Sequence, residues 1–170
     1  MSEHSDRPVT DEHLDLLEAL RAHRGFLRHT VQGLTDDQAR SRPTVSALSL
    51  ASIIKHVAAT ESSWVDFILG GADAMGNDPE SWAAEWRVEA DDTLERLLAR
   101  YDEVARRTDG LLEQGVDLDG SHPLPVAPWF PPGATRSARR VFVHVVAETA
   151  QHAGHADILR ETIDGQRTMG

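Results

Sequence analysis

Apolar residues recur three or four positions apart, which is helical spacing, in four long stretches of the chain. The pattern predicts helices over residues 10–31, 50–69, 91–114 and 137–163. Glycine, which readily ends a helix, follows each of these stretches, at Gly33, Gly70, Gly115 and Gly165. Four long helices predict an all-α fold, a four-helix bundle.

The connections between these helices are long and differ in composition. Residues 34–48 are polar, and residues 70–90 are rich in glycine, aspartate and asparagine, with a short helical turn predicted at 82–86. The segment 116–135 holds five of the eight prolines, with Trp129 and Phe130 in its middle. Proline disfavours a helix or a central strand, so we expect an irregular loop near the open end of the bundle. We expect one domain over residues 1–170, with long crossover connections and a flexible tail at residues 1–9.

Charge and cysteine content narrow the classes of partner. The 170 residues include 17 basic and 28 acidic side chains, a net charge of −11, which disfavours binding to nucleic acid phosphates. No uninterrupted apolar stretch is long enough to span a membrane, and the polar N-terminus does not resemble a secretory signal, so we expect a cytoplasmic protein. Because the chain has no cysteine, a bound metal would be held by nitrogen and oxygen donors alone.

The fourth predicted helix carries a stripe of side chains that can bind a metal ion. Within VFVHVVAETAQHAGHADILRETI they are spaced four, four and three residues apart, at His144, Glu148, His152 and His155. At about 100° per residue, they lie within roughly 80° of one another around the helix. The same sector contains residues that should face the core, namely Val141, Val145, Leu159 and Ile163. An unpaired carboxylate turned inward would cost several kcal/mol, and a metal ion would remove that cost.

A buried hydrogen-bonded network, or a polar groove between helices, would also explain histidines in this sector. For the pair Glu148 and His152 we favour a metal ion, because side chains four residues apart on one helix can reach the same ion. We expect the flanking His144 and His155 to support the ligands or line the pocket. A third ligand must come from another helix, and His56 of the second helix is either that ligand or a residue that lines the groove.

Two segments resemble a known family. LSLASIIKHVAATESSW, followed about 90 residues later by HVVAETAQHAGHADILRETIDG, is similar to the DinB-like superfamily of metal-binding four-helix bundles, and most to its actinobacterial, mycothiol-linked branch. The resemblance implies one metal ion, usually zinc, bound by a histidine of the second helix and two residues one turn apart on the fourth. In this chain these are His56, Glu148 and His152. Nickel, iron or manganese would accept the same donors.

The residue at position 148 separates branches of this superfamily. Many relatives, including those that resemble bacillithiol transferases, have histidine where this chain has Glu148. The glutamate version resembles the metal set of mycothiol-dependent maleylpyruvate isomerase, which has an additional C-terminal domain. Because this chain ends soon after Gly165, we expect the compact form that resembles mycothiol S-transferases.

The resemblance implies a metal-dependent thiol S-transferase with a role in detoxification. The metal would activate a small-molecule thiol, mycothiol as co-substrate, and the resulting thiolate would attack an electrophile. Trp129 and Phe130 would cover an apolar electrophile, or would pack against the end of a helix. His144 is a candidate substrate-binding residue, and His155 a candidate catalytic residue that assists proton transfer or orients Glu148.

Two other functions fit the same residues. One is a non-catalytic protein that binds a metal or another ligand, because the fold is shared more widely than any reaction. The other is a metal-dependent hydrolase, in which a metal-activated water is the nucleophile and Glu148 or His155 is the base. It is disfavoured if Glu148 is a ligand, because Glu148 is then poorly placed to act as the base. A monomer and a homodimer are both compatible with the sequence.

Overall fold

In the computed structural model, residues 8–76 and 79–168 are described, and most of them are helical. The six α-helices of this part of the chain are α1 (Asp11–His29), α2 (Asp36–Arg40), α3 (Leu50–Gly70), α4 (Pro79–Glu85), α5 (Leu94–Glu113) and α6 (Ala138–Asp164). A 3₁₀ turn (Ala72–Ala74) follows α3, and two strands, β1 (Ser121–Pro123) and β2 (Thr135–Ser137), pair antiparallel. None of the helices in the described ranges has the length and hydropathy of a membrane span.

The predicted all-α fold is confirmed, and the four long predicted helices correspond to α1, α3, α5 and α6. The largest difference at a helix start is at α5, which begins at Leu94 rather than at residue 91. Thr93 determines this start, because its side chain accepts a hydrogen bond from the backbone N–H of Arg96 at 3.3 Å. The predicted turn at 82–86 lies in and just after α4, whereas residues 1–7 of the predicted tail fall outside the described residues.

Several short elements were not predicted, among them α2 and the two paired strands. Thr35 and Gln38 form a capping box that starts α2, but a five-residue helix is too short to produce a periodic pattern. The proline-rich segment 116–135 is irregular over most of its length, as expected, but β1 and β2 pair at its ends. The paired strands bring the two ends of the segment together beside the start of α6.

The long helices pack so that each contacts two neighbours around the bundle. α1 packs against α6 and α5, and α3 packs against the same two helices from the other side. Two groups of buried residues fill the interior. One includes Ile53, Ile54, Tyr101 and Leu159, and the other includes Leu20, Phe67, Leu112 and Phe142.

A buried ion pair crosses the bundle interior between α1 and α3. The side chain of Glu61 is 0% exposed and that of Arg24 is 4% exposed, and their nearest nitrogen and oxygen are 2.5 Å apart. Arg24 also contacts Asp109 of α5 at 2.6 Å, and the hydroxyl of Thr108 donates to Glu61 at 2.5 Å. Since both charges are removed from water, the network stabilises the fold only while its members remain together.

We predict that Glu61→Ala lowers the free energy of unfolding by about 3 kcal/mol, because it leaves the Arg24 guanidinium buried with only Asp109 facing it. Glu113→Ala is the matched control, since Glu113 pairs with Arg21 at the surface and should cost less than about 1 kcal/mol. Urea denaturation followed by circular dichroism measures both values. Equal losses of unfolding free energy in the two variants would show that the buried Arg24–Glu61 pair contributes no more to stability than the surface pair.

Candidate metal centre

The candidate metal centre lies between α3 and α6. The Ser49 side chain starts α3 by accepting the N–H of Ser52 at 3.2 Å, and His56 follows two turns later. The Ser137 side chain caps the start of α6, and Gly165 ends it with a positive φ of 79°. Between these caps α6 continues for 27 residues, so its histidines and its glutamate keep one helical register.

Three side chains meet at this centre. His56, Glu148 and His152 each offer one donor atom, and the three atoms lie within 4.8 Å of one another. The separation between His152 Nε2 and Glu148 Oε2 is 3.5 Å. Donors bound at 2.0–2.2 Å around a tetrahedral zinc ion are about 3.4 Å apart, so this pair already has the required spacing. Two imidazoles and one carboxylate form a ligand set found in catalytic zinc sites, where a fourth position is left open.

The burial of Glu148 differs from the sequence prediction. Val141, Val145 and Leu159 are buried as expected, but the side chain of Glu148 is 28% exposed, so it lies at the edge of the core. Of the four candidate positions, which span about 80° around the helix, only His152 is buried. Contact with His152 lowers the pKa of Glu148 below its usual range, although burial acts in the opposite direction. A carboxylate is therefore available to a cation at neutral pH.

The two flanking histidines both contact the central residues. His144 Nε2 lies 3.7 Å from Glu148 Oε1, and its ring meets the edge of Trp64 with centroids 5.0 Å apart. Burial lowers the pKa of His144 below its usual value. His155 Nδ1 lies 3.5 Å from His152 Nδ1. Both therefore sit beside the candidate ligands, and their assigned roles stay predictions.

Sequence reasoning missed two residues that contact His56. The carboxylate of Glu85, at the end of α4, lies 3.3 Å from His56 Nδ1. The next residue, Trp86, stacks on the His56 ring with centroids 3.8 Å apart and planes 17° from parallel. The short helical turn predicted at 82–86 contained both residues, but nothing in the periodicity connected that turn to the second helix.

A cavity of about 250 Å³ lies next to His56. Aromatic side chains from three segments line it, namely Trp64, Trp86, Trp129 and Phe130. Trp129 is 58% exposed, and Phe130 also packs against one of the two core groups. The proline-rich segment thus reaches the cavity, whereas His144 and His155 are not among the described residues that line it.

Arg136 attaches the proline-rich segment to the bundle. Its guanidinium carbon lies 4.6 Å from the ring centroid of Trp64 and 5.5 Å from that of Phe130. Within the described residues, its buried Nη1 has no hydrogen-bond acceptor, and burial lowers the pKa of the side chain. The contacts with the two rings therefore fix this wall of the cavity through cation–π attraction.

Comparison with known proteins agrees with this architecture. The family model described as Mycothiol-S-transferase matches residues 15–165. A crystal structure described as the conserved protein of locus from Enterococcus faecalis aligns with a TM-score of 0.63 and 15% sequence identity, covering 89% of this chain and 96% of that chain. At this identity the similarity supports the fold alone. No curated protein sequence matches the chain.

We predict that His152→Ala retains about a tenth or less of the metal bound by the wild-type protein, because only two of the three donors remain. The bundle should stay folded, since the substitution removes no charge pair from the core. Elemental analysis of protein purified without a histidine tag measures the metal content, and circular dichroism measures helicity. The control is His23→Ala on α1, outside the cluster, which should keep its full metal content. Equal metal content in both variants would contradict the assignment.

Proposed function

The chain belongs to the mycothiol S-transferase family, and we propose that it joins mycothiol to an electrophile with the help of a divalent metal ion. The ligands would be His56, Glu148 and His152, and zinc is the ion we propose. The observation that carries this proposal is the convergence of the three donors beside an aromatic cavity. The chain's own chemistry is consistent with it, since a protein with no cysteine must receive its sulfur nucleophile from a substrate.

A divalent ion bound here would supply a positive charge that lowers the pKa of a coordinated thiol, so that the thiolate forms near neutral pH. His56, Glu148 and His152 would hold the ion from two facing helices and leave one position for the thiol sulfur. The thiol proton would pass to a neighbouring base or to water. The sulfur would then form a bond to the electrophilic carbon, whose leaving group departs with the electron pair of the broken bond.

The cavity would receive the electrophile. Its volume of about 250 Å³ is below the usual range for drug-sized ligands, so it suits a small apolar group rather than a whole large molecule. Trp129 and Phe130 would cover that group from one side. His144, which contacts Trp64 and Glu148, would border the site where the two substrates meet.

His155 is the proposed candidate for proton transfer, with an orienting role as the alternative. Its contact with His152 Nδ1 supports orientation, because a partner on one ring nitrogen fixes which nitrogen faces the ion. His155 would orient His152 rather than Glu148, since its ring nitrogen contacts the ring of His152. A hydrolytic function receives less support, because Glu148 as a ligand cannot also act as the base, which leaves His155 as the only one of the two candidate bases.

We predict that the purified protein conjugates mycothiol to a monohalobimane and releases halide, with thioether fluorescence as the measurement. A chelator should abolish the reaction and added zinc should restore it, since the thiol would lose its activating charge. His152→Ala should be inactive and His23→Ala fully active. Cleavage of an ester or amide without thiol would instead indicate a hydrolase, and the absence of both reactions would indicate a binding protein.

We predict that Trp129→Ala raises the KM for an apolar electrophile about fivefold, or ~1 kcal/mol, because part of the apolar wall is lost. Metal content and the KM for mycothiol should be unchanged. Val45→Ala is the control, since Val45 is a fully exposed apolar residue away from the cavity. An unchanged KM in Trp129→Ala would show that the aromatic wall does not contact the electrophile.

A further inference from the structure

We infer that Glu85 is a positioning residue for the metal centre, holding His56 so that Nε2 faces the ion. The inference rests on the metal site of the proposed function and adds a fourth side chain, from α4, to the three candidate ligands. Glu85 is not one of the three residues whose donor atoms lie within 4.8 Å of one another. Its carboxylate contacts His56, so we assign it a role that acts through His56.

The hydrogen bond between these side chains selects one form of the imidazole. His56 Nδ1 lies 3.3 Å from Glu85 Oε2, and both side chains are largely withdrawn from water. A neutral imidazole carries its hydrogen on one nitrogen and a lone pair on the other. With the carboxylate accepting from Nδ1–H, the lone pair is on Nε2, the nitrogen that would then bind the metal.

The ring orientation is fixed as well as the position of its hydrogen. Trp86 stacks on one face of His56 with ring centroids 3.8 Å apart, and Thr60, one turn along α3, places its hydroxyl 3.4 Å from Nε2. Rotation of the imidazole out of its plane would break the stack, and a 180° flip within that plane would move Nδ1 away from Glu85. The segment that follows the 3₁₀ turn therefore supplies two adjacent residues that restrain one ligand.

A negative charge next to an imidazole also makes it a stronger donor to a cation. The nearby cation Lys55 does not neutralise Glu85 directly, since its ammonium group contacts Asp92 at 2.7 Å. Glu85 also lines the cavity, which raises the alternative that it acts on a substrate. A residue that positions His56 affects metal binding even with no substrate present, whereas a residue that acts only on a substrate does not.

The test is the affinity of the full chain for Co²⁺ and Zn²⁺, measured by chelator competition without thiol or electrophile. Glu85→Ala should bind either ion about 10- to 100-fold more weakly than the wild type, the usual effect of removing a partner of a metal-bound histidine. Glu85→Gln should lose less, because an amide oxygen still accepts from Nδ1–H. The matched control is Glu89→Ala, an exposed glutamate of the same segment, which should bind as the wild type does.

The melting temperature of the metal-free protein separates positioning from folding. It should be the same in Glu85→Ala and Glu89→Ala, and the visible spectrum of bound Co²⁺ should change only when Glu85 is replaced. Wild-type affinity in Glu85→Ala, with or without a loss of activity, would overturn this inference and leave the proposed metal centre standing. A wild-type protein that binds neither ion would overturn the proposed function and this inference with it.

Discussion

The packing of α3 against α6 is the constraint on which the candidate site depends. His56 comes from one helix and Glu148 and His152 from the other, so the three donors meet only if the two helices keep one relative register. Buried residues on both helices set that register, including Ile53 and Val57 of α3 and the small Ala153 and Ala156 of α6. A shift of one residue along either helix would rotate its donors by about 100° and disperse the cluster.

The same helix α3 also carries the buried ion pair, and the two features lie on different sides of it. Glu61 follows His56 by five positions, which places their side chains about 140° apart around the helix. Glu61 turns toward α1 and α5, where Arg24 and Thr108 satisfy it, whereas His56 turns toward α6. The buried ion pair and the candidate metal ligand thus lie on nearly opposite faces of α3. The donors can therefore stay partly accessible while the interior remains buried.

Which features of the candidate site could be predicted from the sequence depended on how far apart their residues lie along the chain. The stripe of candidate ligands on α6 could be predicted because all of its members belong to one helix. The helical period alone then gives the relative directions of their side chains. Periodicity left His56 undecided, and the family resemblance pointed to it. The contact of Glu85 with His56 was missed because the residues are 29 positions apart in different elements, and no local pattern records such a contact. Glu148 is less buried than the sequence predicted, because a helical sector gives the direction of a side chain and not its distance from the surface.

We propose that His56, Glu148 and His152 together hold one divalent ion. The most direct measurement is anomalous X-ray diffraction from a crystal of zinc-loaded protein, collected on both sides of the zinc absorption edge. We predict one strong peak between α3 and α6, about 2.0–2.2 Å from a nitrogen of each histidine and an oxygen of Glu148. A peak elsewhere, or a zinc-loaded crystal in which His56 turns away from Glu148 and His152, would contradict the claim.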